Sequence, residues 1–290
     1  MPDVCPVLCY HAVADDPGDP AERLHAVRPD TLRAQLAWLA RRFQVVRLAE
    51  LARRDDWAGL AAVTFDDGYR SAVATGWPIL RDAGLPATFF LIGEGLATGT
   101  FWRERVRTVI RHGLVEAFLA AAGGDPAAAD VRPERFYKDS KTPGRDHARF
   151  DRLLAAFLAD RGLDPRERNP LAGAAELPAE PGFAVGNHSA RHYVAAGLSD
   201  ADKRAEIADG QAALARRGLA DGPFYAVPFG GADDVDARTL AAVREAGYAG
   251  ALLSRSDLNG PVPARSADGL LLVERLMPAD DPDDLARRIG

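Results

Sequence analysis

Ala61-Ala62-Val63-Thr64-Phe65-Asp66-Asp67-Gly68 is the stretch on which the reading of the fold turns. A short apolar, β-favouring run makes a buried strand, and two adjacent carboxylates with a glycine end it abruptly. Carboxylates forced together at a strand end are costly unless a cation or an altered protonation state relieves them. Asp-Asp doublets also occur at 15–16, 55–56, 233–234, 280–281 and 283–284, so the doublet alone carries no information. Its place after a strand, with Gly68 free to take a sharp turn, sets this one apart.

The same arrangement recurs twice further along. A run at Phe183 to Gly186 leads into Asn187-His188-Ser189-Ala190-Arg191-His192, and a run from Phe224 leads through Ala226-Val227-Pro228-Phe229-Gly230. Strands are predicted at 6–11, 44–48, 61–65, 86–92, 183–186, 224–229, 248–253 and 270–276. Helical spacing separates them, at 29–43, from Val73 to Gly84 with a kink or restart at Pro78, at 101–122, 150–158, 199–218 and 235–246. Parallel strands joined by helical crossovers are the economical solution, as a barrel or an open sheet. Either brings the three segments to neighbouring strand ends. His188 and His192 have the spacing that stacks two imidazoles on one face of a helical turn, where both can bind one ion. Two carboxylates and two imidazoles are the equipment of metal-assisted hydrolysis. His25, His112 and His147 lie in polar or helical surroundings and are expected at the surface.

Composition narrows the class. The 290 residues, 47% hydrophobic, suffice for a full core, and one domain is the default. With 36 basic against 42 acidic residues and no basic stripe, nucleic acid is not an expected partner. Cys5 and Cys9 share one strand face and read as buried thiols, so neither a disulfide framework nor a thiolate zinc site is expected. No membrane span occurs, and the start shows no signal-peptide pattern, so the expectation is a soluble cytoplasmic enzyme. Residues 123–181 are richer in Pro, Gly, Ala and charge and read as an insertion with one helix and exposed loops.

The motifs resemble those of the polysaccharide deacetylase family, the NodB-homology domain of carbohydrate esterase family four. Thr64 to Gly68 matches its Thr-Phe-Asp-Asp-Gly segment, His188 to His192 its His-Ser/Thr-x-x-His segment, and Pro228-Phe229-Gly230 its Pro-aromatic-Gly segment. The resemblance implies a distorted (β/α)7-8 TIM-like barrel spanning 1–290 as a single catalytic domain, with the insertion at about 123–181. It further implies a divalent metal held by Asp67, His188 and His192, with Asp66 as the general base and Phe229, after Pro228, supplying a backbone oxyanion donor. Zn²⁺ suits this donor set best, and Co²⁺, Ni²⁺, Fe²⁺ or Mn²⁺ are accepted by the same ligands.

Two departures stand out. Many members carry an arginine where this chain has Ala226, which leaves Asp66 without its usual partner and with a raised pKa; Arg275 on the last predicted strand is a candidate to replace it, against the reading of an ordinary surface arginine. No histidine follows His192, so the general acid falls to His11 in the Tyr10-His11 segment, as in the branch of the family with an N-terminal Tyr-His. The implied activity is hydrolysis of a non-peptide C–N bond, removing acetyl from an N-acetylated sugar in a polysaccharide, oligosaccharide or glycolipid. The alternatives are a deformylase or amidohydrolase acting on a small or lipid-linked molecule, and a non-catalytic carbohydrate-binding protein on a decayed esterase scaffold.

Overall fold

The computed structural model describes residues 2–16 and 25–290. Its strands are β1 (Val7–Tyr10), β2 (Ala12–Val13), β3 (Ala26–Val27), β4 (Gln44–Val45), β5 (Leu60–Phe65), β6 (Ala87–Leu91), β7 (Phe183–Asn187), β8 (Asp221–Ala226), β9 (Gly250–Leu252), β10 (Ala264–Arg265) and β11 (Leu271–Val273). The main sheet runs β1-β5-β6-β7-β8-β9-β11-β10, parallel throughout except for β10 at the edge; β4 adds to β5, and β2 pairs with β3 separately. Just past β11, Leu276 forms a parallel bridge with Leu8, the Cys9 N–H donating to Leu276 O at 2.9 Å and the Leu276 N–H to Val7 O at 2.9 Å. These two bonds bring the last strand back to the first, giving the distorted TIM-like barrel.

Alternation along the strands decides what lines the ring. Val7 on β1, Leu60 and Ala62 on β5, Phe90 on β6, Phe224 and Ala226 on β8, and Leu271 and Val273 on β11 pack together in the interior. Their neighbours Leu8 and Tyr10, and Ala61, Val63 and Phe65, face outward to the helices. Continuing the inner rows of β1, β5 and β11 by two residues gives Cys9, Thr64 then Asp66, and Arg275. The strand period thus carries an apolar floor into a polar rim at one end of the barrel. Gly186 is required where β7 passes the Phe90 ring, since a Cβ there would lie 2.4 Å from the ring edge.

The helices bury one stripe each against the outer face. Pro29–Arg42 contributes Leu32, Leu36 and Leu39, and Ser199 caps Asp200–Ala215 by accepting from the Asp202 N–H at 3.2 Å. Pro78 lies in the first turn of a new helix, Trp77–Asp82, after a wider π turn at Ala72–Gly76, so the chain restarts there. The helix expected over 101–122 is two, Trp102–Arg111 and Val115–Ala122, broken where Gly113 takes a left-handed φ of 65°. The strand expected to reach Leu48 stops at Val45, because Leu48 begins a short helix whose first turn Glu50 closes by accepting from the Arg47 N–H.

Residues 123–181 are more than exposed loops around one helix. Besides His147–Ala159 they form a short helix, Phe136–Asp139, and Phe136 and Phe150 pack edge-on to Phe118 with centroids 5.6 and 5.5 Å away. Cys5 and Cys9 are both buried and free. No helix among the described residues is long and apolar enough to cross a membrane. Gly186→Ala tests the packing of the barrel interior: the overpacked methyl is expected to cost about 1–3 kcal/mol, read as a lower urea midpoint at unchanged m-value.

Candidate active site

The polar rim collects residues from five strand ends. Asp66 and Asp67 leave β5, where Asp67 and Gly68 take successive left-handed conformations, φ 68° and 80°. His188 and His192 leave β7 on an irregular loop. This corrects the helical turn read from their spacing: Ser189 and His192 have φ 66° and 65°, and Ser189 Oγ accepts from the His192 N–H at 2.7 Å. Phe229, after β8, is left-handed as well. Four of the five non-glycine residues with positive φ among those described therefore sit at this one place, the distribution expected where surrounding contacts hold strained backbone for function.

Asp67 Oδ1 lies 3.3 Å from His192 Nε2 and 3.5 Å from His188 Nε2, and it is buried without a hydrogen-bond donor. His188 Nδ1–H donates to the Ala226 carbonyl at 2.9 Å, which fixes the ring and turns Nε2 towards the carboxylate. One ligand atom from each of Asp67, His188 and His192 fits within a 4.8 Å cluster. An orphaned carboxylate oxygen facing two imidazoles, all buried, fits a divalent cation bound by one oxygen and two nitrogens. Burial opposes the charge on Asp67, but His192 and His188 outweigh it and hold its pKa far below the usual carboxylate range. Burial lowers His192 to about 3, keeping it neutral and free to act as a ligand.

Arg275 is not a surface residue. It is 1% exposed and sits inside the barrel, donating from Nη1 to Asp66 Oδ1 and from Nη2 to Asp66 Oδ2, both at 2.7 Å. Its Nε–H also donates to Leu253 O at 3.1 Å, and Nη2 to Ser254 Oγ at 2.9 Å. Asp66 is consequently paired, and its pKa is not raised: burial pushes it up, Arg275 and His188 more than offset this, and it falls to about 2. The Cys9 thiol donates to Asp66 Oδ2 at 3.4 Å. His11 stands at the end of β1, with a ring nitrogen, Cys9 Sγ and an Asp66 oxygen all within 4.8 Å of one another. Burial lowers the pKa of His11, although Asp67 and Asp66 oppose the shift. The Phe229 N–H meets no protein acceptor among the described residues.

Two of the histidines expected at the surface are elsewhere. His25 lies against His11, centroids 5.0 Å apart, and lines the same cleft; His147 is 2% exposed, wedged between Trp102 and Tyr193. The cleft also gathers Arg103 and Arg107 from Trp102–Arg111 and Tyr137 and Lys141 from the 123–181 segment, none singled out by a motif. Inner-face alternation from Val7 points to Cys9, but no local signal marks the other four.

The family model for polysaccharide deacetylases matches residues 54–117 and 169–251, just over half of the chain. The chain belongs to the polysaccharide deacetylase family. The matched blocks contain Asp66, Asp67, His188, His192, Pro228 and Phe229, and leave His11, Arg275 and most of the 123–181 segment outside. No curated protein gives a significant match. Among solved structures, the Streptococcus pyogenes deacetylase PplD, in complex with acetate, is 18% identical with a TM-score of 0.58 over 100% of both chains. IcaB from Ammonifex degensii is 16% identical, TM-score 0.60, over 99% of this chain and 97% of its own. A polysaccharide deacetylase from Bacillus cereus is 16% identical, TM-score 0.62, over 99% of this chain and 69% of its own. At these identities the structural likeness establishes the deacetylase fold.

Arg275→Met would leave Asp66 as a buried carboxylate without its cation. The expected loss of stability is about 3–5 kcal/mol by denaturant unfolding, and a loss below about 1 kcal/mol would show that the ion pair does not hold the barrel end together.

Proposed function

We propose that this chain is a metal-dependent N-deacetylase acting on an N-acetylated carbohydrate, its 290 residues working as one catalytic domain. The observation that carries this is the orphaned Asp67 oxygen facing His188 and His192 beside a second carboxylate, Asp66, held in place by Arg275. Asp67, His188 and His192 would hold the ion, with Zn²⁺ the best match to the donors. A bound divalent ion supplies a Lewis acid that polarises the acetyl carbonyl and acidifies water.

Asp66 is the base. Arg275 keeps it ionised and fixes its plane, so it is available to accept the proton of the attacking water. A carboxylate so stabilised is a weak base, and it suffices only against water that is itself acidified. The water oxygen bonds to the acetyl carbon, the C–N bond breaks, and the leaving nitrogen takes a proton as acetate departs. His11 is the group placed to give that proton, drawing it in turn from protonated Asp66, which is near enough for one water to bridge them. The Phe229 N–H, positioned by its left-handed backbone after Pro228, serves as an oxyanion donor.

The metal and the base are tested separately. Zn²⁺- or Co²⁺-supplied protein is expected to hold about one ion per chain and to release acetate from N-acetylglucosamine oligomers, and chelation is expected to abolish release. Protein that binds neither ion overturns the metal reading. Asp66→Asn is expected to lower kcat by about 10²–10⁴ while retaining metal, and an unimpaired variant would remove Asp66 from the mechanism.

A further inference from the structure

Arg103 is a buried cation without a counter-ion among the described residues. It lines the cleft and is 2% exposed, yet among the described residues its side chain bonds only to neutral acceptors, Nη1 to Ser140 Oγ at 2.7 Å and Nη2 to Tyr137 O at 2.9 Å. Its guanidinium carbon lies over the rings of Tyr137 at 4.1 Å and Trp102 at 4.8 Å. Stacking of this kind recovers only part of the cost of removing an ion from water, and neither the rings nor the neutral acceptors supply an opposite charge. Arginine cannot escape by losing its proton.

Three other charged groups of the cleft are matched. Asp66 has Arg275, Asp67 faces the histidines that would share its cation, and Arg107 is paired with Glu104 on its own helix. Lys141 has only a loose contact with Asp234, at 3.5 Å, and is partly exposed. Lys141 Nζ stands 4.7 Å and Arg103 Cζ 5.8 Å from the centre of the Phe229 ring, and that ring packs on His192 with centroids 4.6 Å apart. The unmatched positive charge therefore adjoins the candidate metal ligands and lies in the same cleft.

We propose that Arg103 and Lys141 form an anion subsite, and that the substrate is an N-acetylated sugar bearing a phosphate or carboxylate group close to its acetamide. The inference rests on the deacetylase reading for the acetamide end and on Arg103 for the anion. Arginine offers a planar fork that matches either oxyanion, and lysine adds a mobile point charge at the cleft mouth.

Calorimetric titration of the Zn²⁺-loaded protein with N-acetylglucosamine, N-acetylglucosamine 6-phosphate and N-acetylmuramic acid separates neutral, phosphate and carboxylate ligands. At least one anionic sugar is expected to bind about tenfold or more tightly than the neutral one. Arg103→Gln is expected to erase that preference while binding of the neutral sugar is kept, and Arg103→Lys to restore part of it. A purely structural role would weaken all three ligands alike. Lys141→Gln, at a partly exposed position, is expected to reduce the preference several-fold and carries the test should Arg103→Gln fail to fold. Equal affinity for all three sugars, or a preference that survives these substitutions, overturns the subsite. Absence of acetate release from every sugar would overturn the deacetylase reading without altering the binding comparison.

Discussion

The ion pair between Arg275 and Asp66 is the interaction on which this end of the barrel depends. Arg275 reaches from beyond β11 to the end of β5 and holds Leu253 O and Ser254 as well, so one side chain ties together three strand ends. It does so beside the place where the ring closes, through the bridge between Leu8 and Leu276. Two ions buried this deeply are tolerable only because each guanidinium edge and both carboxylate oxygens find partners. The geometry that stabilises the closure also fixes Asp66 in one plane next to Asp67.

From that fixed carboxylate the chemistry of the site follows by charge. Asp66 and Asp67 are adjacent in sequence and face different neutralisers: Arg275 for the first, the two imidazoles and the cation they would share for the second. Environment thus separates the roles of two identical side chains. The same bookkeeping isolates Arg103, whose charge no carboxylate answers among the described residues.

The DDG turn, the histidine pair and the Pro-Phe-Gly segment were legible because each follows an apolar run and each residue type has a recognisable chemistry. The parallel α/β sheet was legible for the same reason, in alternating strands and helices, and its closure into a barrel was implied only by the family resemblance. Arg275 was only half legible. Leu271, Val273 and Arg275 share a face by the strand period, but an arginine at the end of an apolar strand reads as surface until the strand is seen to line a closed ring. His25 and His147 misled because polar neighbours in sequence say nothing of what packs on them in space. The two site histidines were found by a spacing whose assumed helical turn does not exist; left-handed Ser189 and His192 bring the rings together instead.

Sequence by itself determined the alternation of strands and helices, the donor types and the family, since these depend on local period and on side-chain chemistry. Tertiary structure alone decided which charges neutralise one another. Asp66 acquires its partner from a residue more than two hundred positions away, and the cleft takes Tyr137 and Lys141 from a segment that by composition looked like loop. Electrostatic pairing depends on distance and burial through the folded interior, and neither quantity is written along the chain.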